Sequence, residues 1–330
     1  MLTAAPRGGL TTVLFLAAIA VGSLLGSLAP TAAEGVAGLT DPLILLLVGL
    51  LFLTLRLDGL SALRRAPRTV LLAIGMNFLV VPLVALALTA LLPDQALRLG
   101  VLVYCLAPCT DWFLGFTRLA GGDTMAGAAL IPVQLTLQLL LYPVWLALFA
   151  GAHADGVLAA AGPTLLAWFV LPAAAGLGLR LALRAVLSGA QRSTVVAAAD
   201  RAVPAVIGAV IATIFAGNVG TILADPTAFA RVLVVVFLFF AVTYGLGEGV
   251  SRMLRLRHAE HAALTMAVSA RNAPLMLALT TIALPDQPMV HAAIILGMLI
   301  EFPHLTVVTQ LLRRQRRPAG ASAAEPTVPA

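Results

Sequence analysis

Long apolar runs, broken by short polar or arginine-bearing segments, fill nearly the whole chain. Ten of them read as membrane spans, at about 10–30, 39–55, 69–92, 97–119, 124–150, 157–180, 203–223, 228–248, 260–284 and 288–312. Most reach the roughly 20 residues a helix needs to cross a bilayer. Span two is short, and span five holds Pro132 and Pro143, which predict a kink. The first run follows Arg7 and reads as an uncleaved helix, because its length exceeds the apolar core of a leader peptide. Two runs are interrupted by polar residues. Span four contains Leu106-Ala-Pro-Cys-Thr-Asp-Trp, with Pro108 and Asp111 in its middle, and span nine contains Val268-Ser-Ala-Arg-Asn-Ala-Pro, with Arg271, Asn272 and Pro274.

The interruptions fall at matching places in two sets of five spans. An odd number of spans per half gives the halves opposite orientation, which is the plan of inverted-repeat transporters. The expected fold is all-α: ten transmembrane helices as two inverted five-helix repeats, with broken helices four and nine crossing near the midplane. Residues 1–152 form the first repeat and 153–317 the second. Residues 318–330, small and proline-bearing, form a disordered cytoplasmic tail. The offsets between corresponding spans differ, so the likeness is one of plan.

Composition agrees with a lipid setting. Of 330 residues, 61% are hydrophobic and 10% charged, against about 25% charged in soluble domains. All 20 basic residues are arginine. With the N-terminus inside, seventeen of them fall in inside loops or the tail, Arg98 and Arg231 fall outside, and Arg271 lies within a span. That asymmetry predicts a multi-pass protein of the cell (plasma) membrane with both termini cytoplasmic. It accounts for the net charge of +6 without a nucleic-acid partner.

Intramembrane polar residues are the candidates for chemistry, because charge in hydrocarbon is costly and usually faces a pathway or a partner. Asp111 and Arg271 stand at the two breaks. Either they bind substrate or coupling ion, or they form a buried ion pair that fixes the crossover; both can hold. Arg271 keeps its charge, which favours an anionic or strongly dipolar substrate. Thr110, Ser269 and Asn272 offer hydroxyl and amide groups beside the breaks, for substrate or for helix–helix hydrogen bonds. Cys105 and Cys109 are one turn apart; thiolate sulfur suits soft metals and metalloids, although buried cysteine is usually a small apolar residue. Glu301 and His304 can touch across one turn of span ten, as a proton relay or as a pair serving groups freed by Pro303. Asn77, Gln134 and Gln138 are supporting polar groups. Glu248, Glu260 and His261 sit at span ends and read as solvated. The chain carries no phosphate loop, zinc-protease, Cys-x-x-Cys or nucleophile-elbow motif. It therefore reads as a non-enzyme with no cofactor and no resident metal.

At these residues the chain resembles the arsenical-resistance efflux permeases of the bile acid:sodium symporter superfamily. Leu106-Ala-Pro-Cys109 with Leu119-Ala-Gly-Gly-Asp123 resembles the family's cysteine-bearing crossover and following loop. Ser269-Ala-Arg-Asn272 resembles its asparagine-bearing crossover, and Gly297-Met-Leu-Ile-Glu301-Phe-Pro303 a segment of span ten. The resemblance implies a panel of spans one, two, six and seven and a core of the other six. It also implies proton-exchanged efflux of a trivalent metalloid oxyacid, with Cys109 and Asn272 at the site. Two departures stand out. Ala273-Pro274-Leu275 replaces the carboxylate that follows the crossover asparagine in the permeases. Ala267 and Arg271 stand where sodium-coupled members have glutamate and glutamine. The first expectation is proton-coupled efflux of arsenite or a similar oxyacid, with sodium-coupled symport of an organic anion as the alternative. A sensor or channel is a third reading, disfavoured by the lack of a soluble domain and by the broken pair. The partners are a small-molecule or oxyanion substrate, protons in preference to sodium, and the lipid bilayer. Asp111 and Arg271 are expected to face each other, leaving Cys109, Thr110 and Asn272 for the substrate.

Overall fold

Helix breaks in this chain coincide with prolines and glycines, and the helices between them follow the apolar runs. The computed structural model describes residues 8–54, 66–110, 113–149 and 170–315. Over these the protein is all-helical. In order come α1 Gly8–Leu28, α2 Pro30–Ala37, α3 Thr40–Thr54, α4 Pro67–Gly75, α5 Val81–Thr89, α6 Gln95–Leu106, α7 Phe113–Leu119 and α8 Thr124–Phe149. Then follow α9 Leu171–Val186, α10 Gly189–Ala224, α11 Pro226–Met253, α12 His258–Ser269, α13 Ala273–Ala283 and α14 Pro288–Gln315. A five-residue π-helical stretch, Met76–Val80, joins α4 to α5. Among the described residues six stretches are long and apolar enough to cross a membrane: Pro30–Thr54, Pro67–Thr89, Thr124–Trp145, Gly189–Gly217, Pro226–Met253 and Pro288–Gln315. The protein is a multi-pass membrane protein.

Several boundaries differ from those expected. Helix α10 starts at Gly189, well before the expected start of span seven, because Ser188 and Gln191 form a capping box that begins the helix in the polar segment. Helix α8 keeps the bounds expected for span five and continues through Pro132 and Pro143. The expected boundary at 152/153, the start of span six and the tail lie outside the described residues.

Helices α1, α2, α3, α9 and α10 pack against one another, and α4–α8 pack with α11–α14. The two groups meet mainly where α14 touches α1 and α10. Close approach in the first group depends on small residues. A Cβ on Gly22 would lie 2.3 Å from the Ala212 carbonyl oxygen, and one on Gly26 would lie 2.4 Å from that of Ala216. The Gly22-x-x-x-Gly26 stripe thus lets α1 lie directly on α10, as small residues do between membrane helices. Gly176 of α9 lies as close to the Gly49 carbonyl of α3, where a Cβ would be 2.4 Å away. Gly26→Leu is therefore expected to push α1 off α10 and cost about 1–3 kcal/mol, read as a lower midpoint in detergent denaturation; an unchanged midpoint would contradict this packing.

Arginine-bearing ends gather on one face. Arg68 donates to the Leu254 carbonyl at 2.8 Å and Arg180 to that of Leu53 at 3.4 Å. On the same side the loop after α7 meets the start of α12, where the Asp123 N–H donates to the Ala259 carbonyl at 2.8 Å and His258 Nε2 is 3.0 Å from the Ala120 oxygen. Gly121, with φ of 75°, turns this loop in the left-handed region. The span ends here are less solvated than expected. Glu248 is buried, with Oε2 3.0 Å from Arg252 Nη2 and Oε1 2.7 Å from His261 Nε2, so it ties the end of α11 to the start of α12. Glu260 caps α12 by pairing with Arg257.

Candidate transport site at the crossed breaks

Both broken helices stop for a local reason. Proline lacks the N–H of a helix interior, clashes with the preceding turn and drives the residue before it to an extended conformation. Pro108 does this to α6, which ends at Leu106 with Ala107 at φ −104°, ψ 104°. Helix α12 ends at Ser269, Ala270 is extended, and α13 restarts with Pro274 in its first turn. Asn272 caps α13 by accepting from the Leu275 N–H at 3.4 Å.

The two breaks then meet. The Cys109 N–H donates to the Ala270 carbonyl at 3.1 Å, and the Asn272 N–H donates to the Ala107 carbonyl at 2.8 Å. Pro108 and Arg271 pair at the centre of this two-bond antiparallel bridge. Each break satisfies backbone groups that the other has freed, which a low-dielectric interior demands. Cys109 is therefore in extended chain and does not share a helix face with Cys105. Both cysteines are buried, and neither is in a disulfide.

Arg271 is wholly buried at this crossing. Its Nη1 donates to the Cys105 carbonyl at 2.8 Å; its Nη2 donates to Asn77 Oδ1 at 2.8 Å and to the Val268 carbonyl. The guanidinium carbon lies 5.6 Å from the centre of the Phe239 ring, within cation–π range. Asn77 sits in the π-helical stretch, a form common at functional sites. Its Nδ2 donates to the Ala267 carbonyl at 3.0 Å, so its oxygen faces the guanidinium.

Glu301, also wholly buried, bonds to the same residue through the backbone. Its Oε1 accepts the Arg271 N–H at 2.9 Å, and its Oε2 accepts from Tyr104 Oη at 3.1 Å. Tyr104 reaches it because Gly297 has no side chain: a Cβ there would lie 2.7 Å from the tyrosine ring. His304 stacks on Phe240, ring centres 4.6 Å apart, and its buried Nε2 has no hydrogen-bond partner among the described residues.

Other expected site residues gather at the crossing. Asn272 Nδ2 donates to Thr110 Oγ1 at 2.9 Å, and Cys109 is 1% exposed. Helix α8 runs beside the second broken helix in the same direction, tied at its start by Asp123 and further on by Tyr142 Oη, 3.1 Å from Thr280 Oγ1. Gln134 precedes Tyr142 by as many residues as Asn272 precedes Thr280, so equal helical rise puts Gln134 at about the level of the break. Both amide atoms of Gln134 and of Gln138 are buried without a hydrogen-bond partner among the described residues, as are Ser269 Oγ and Arg271 Nε. Each such atom costs on the order of 1–3 kcal/mol. Grouped beside a crossing, they are donors and acceptors that a polar substrate can use. Asp111 lies outside the described residues.

Tyr104, Phe239 and the carbonyls of Cys105 and Val268 were not legible as site groups from the sequence. A tyrosine or phenylalanine in an apolar span reads as packing, and a carbonyl gives no sequence signal.

The family model of the Sodium Bile acid symporter family matches residues 42–241, more than half of the chain. The chain belongs to the Sodium Bile acid symporter family. Members of this family are membrane transporters, so a small-molecule substrate and a membrane setting follow for the chain. The matched stretch includes the first break and ends before the second. No curated protein gives a significant match.

Proposed function

We propose that this member of the Sodium Bile acid symporter family is a secondary active transporter that exports arsenite or a similar oxyacid in exchange for protons. The observation that carries the reading is the crossing itself: two interrupted helices bonded to each other, with a buried thiol, hydroxyl and amide groups and a fixed cation around them. Paired interruptions of this kind mark substrate sites in secondary transporters. In this reading Cys109, Thr110, Ser269 and Asn272 meet the substrate. A soft sulfur ligand suits a trivalent metalloid, and the restarted helix α13 turns its positive end toward an oxyacid oxygen. Glu301 carries the exchanged proton, with His304 as a candidate relay. Asn77, Gln134 and Gln138 support the site.

The remaining architecture belongs to the same reading. Ten spans form two inverted repeats. Exchanging span one with six and two with seven converts the α1–α10 contact into the α9–α3 contact, and both rest on glycine–carbonyl approaches. That exchange supports the repeat. The arginine-rich face is cytoplasmic, with both termini there, in the plasma membrane.

Sodium-coupled symport of an organic anion is the second reading, favoured by the family's description. Everted vesicles separate the two. Arsenite uptake driven by a pH gradient and indifferent to sodium is expected. Sodium-driven accumulation of an organic anion with no arsenite flux would overturn the first reading. Cys109→Ser is expected to lower arsenite flux by at least about tenfold, equivalent to roughly 1.4 kcal/mol; normal flux in that variant would remove the thiol from the mechanism.

A further inference from the structure

The Arg271 guanidinium occupies the kind of place where a transporter with broken helices holds an ion. In such proteins the C-terminal ends of half-helices and unwound carbonyls surround a cation. Here the Cys105 carbonyl comes from the last turn of α6, the Val268 carbonyl from the last turn of α12, and Asn77 Oδ1 from the π-helical stretch. We propose that Arg271 is the resident cation of an alkali-cation site: a tethered guanidinium fills an oxygen cage that would otherwise hold a sodium-like ion. The crossing thus keeps its positive charge through every cycle without taking up sodium. This deepens the transporter reading and rests on it.

Three features support the assignment. The acceptors bonded to the guanidinium among the described residues are neutral oxygens, the donor set of a monovalent cation, whereas the usual partner of a buried arginine is a carboxylate. The helix ends also suit a cation. Each helix C-terminus carries roughly half a negative charge, so the ends of α6 and α12 both favour positive charge between them. Glu301 bonds to the Arg271 N–H and the Tyr104 hydroxyl. Finally, the cage is built from outside. Asn77 is turned oxygen-inward by its bond to Ala267, and Phe239 lies against the guanidinium. An arginine cannot leave such a cage by losing its proton.

The experiment compares melting of the purified full-length protein in sodium, millimolar guanidinium and choline chlorides at equal ionic strength. The wild type is expected to melt alike in all three. Arg271→Ala is expected to melt lower in choline and to recover by several degrees, saturably, with guanidinium or sodium. A saturable sodium response in the wild type would overturn the proposal. So would an Arg271→Ala protein, folded and monodisperse, that is indifferent to both cations.

Should the alanine variant fail to fold, Arg271→Lys and Arg271→Gln give the answer. The lysine variant, with its tethered charge, is expected to ignore sodium, and the glutamine variant to be stabilised by it. Equal sodium responses in these two would also refute the resident cation. The melting assay needs no transported substrate, so a failed substrate panel refutes the proposed cargo and leaves this inference standing.

Discussion

Asn77→Leu is expected to destabilise the protein by about 2.5–4 kcal/mol through lost hydrogen bonds. The substitution removes the acceptor of a charged hydrogen bond, worth about 1.5–3 kcal/mol, and a neutral bond worth about 1 kcal/mol. Both partners stay buried: Arg271 Nη2 loses Oδ1, and the Ala267 carbonyl loses its side-chain donor. Leucine keeps the branched outline of asparagine but is bulkier, so overpacking at this fully buried position adds to the effect. Denaturation of the purified protein by graded detergent would measure it. The double variant Asn77→Leu, Arg271→Leu is expected to cost less than the sum of the single variants, because the unpaired guanidinium is gone. Strict additivity would mean that the Asn77–Arg271 bond contributes nothing.

Glu301→Gln is expected to abolish coupling to a pH gradient while leaving a folded protein. Glutamine can keep an oxygen toward the Arg271 N–H, and its amide can donate to Tyr104 Oη, which turns from donor to acceptor. The fold therefore tolerates the change, and what disappears is a group able to gain and lose a proton. Gradient-driven accumulation in vesicles should fall by at least about tenfold, while substrate exchange at equal pH persists. Retained gradient-driven accumulation would assign Glu301 to the crossing's structure alone. Loss of both modes would point to substrate contact, since a pure coupling residue leaves exchange intact.

Much of this site was legible in the sequence, and the misses have physical causes. Pro108 and Pro274 marked the breaks because proline cannot continue a helix ladder: α6 ends just before Pro108, and Pro274 lies in the first turn of α13, after α12 has ended at Ser269. Asn77 and Glu301 stood out as polar atoms in apolar runs. Their partners did not. Nothing local to Asn77 tells that it turns its oxygen to Arg271, almost two hundred residues away. The pairing of Glu301 with Tyr104 depends on Gly297 leaving room for an aromatic ring. Cys105 and Cys109 look alike by spacing, yet one ends a helix and the other lies in the bridge. Glu248 looked solvated because it sits near a span end, and only the packing of α11 on α12 buries it against His261.

By itself, the sequence determined the lipid setting, the apolar runs and the two interruptions. Hydrocarbon length, the cost of charge and proline geometry act over one helix or less, so they can be read in order along the chain. The tertiary structure alone decided that the interruptions cross and exchange backbone hydrogen bonds. It also decided that Arg271 spends its donors on two helix ends and an amide oxygen. Those contacts join segments distant in sequence, and the carbonyls that hold the guanidinium are common to every residue. Position in space, rather than residue type, makes them a site.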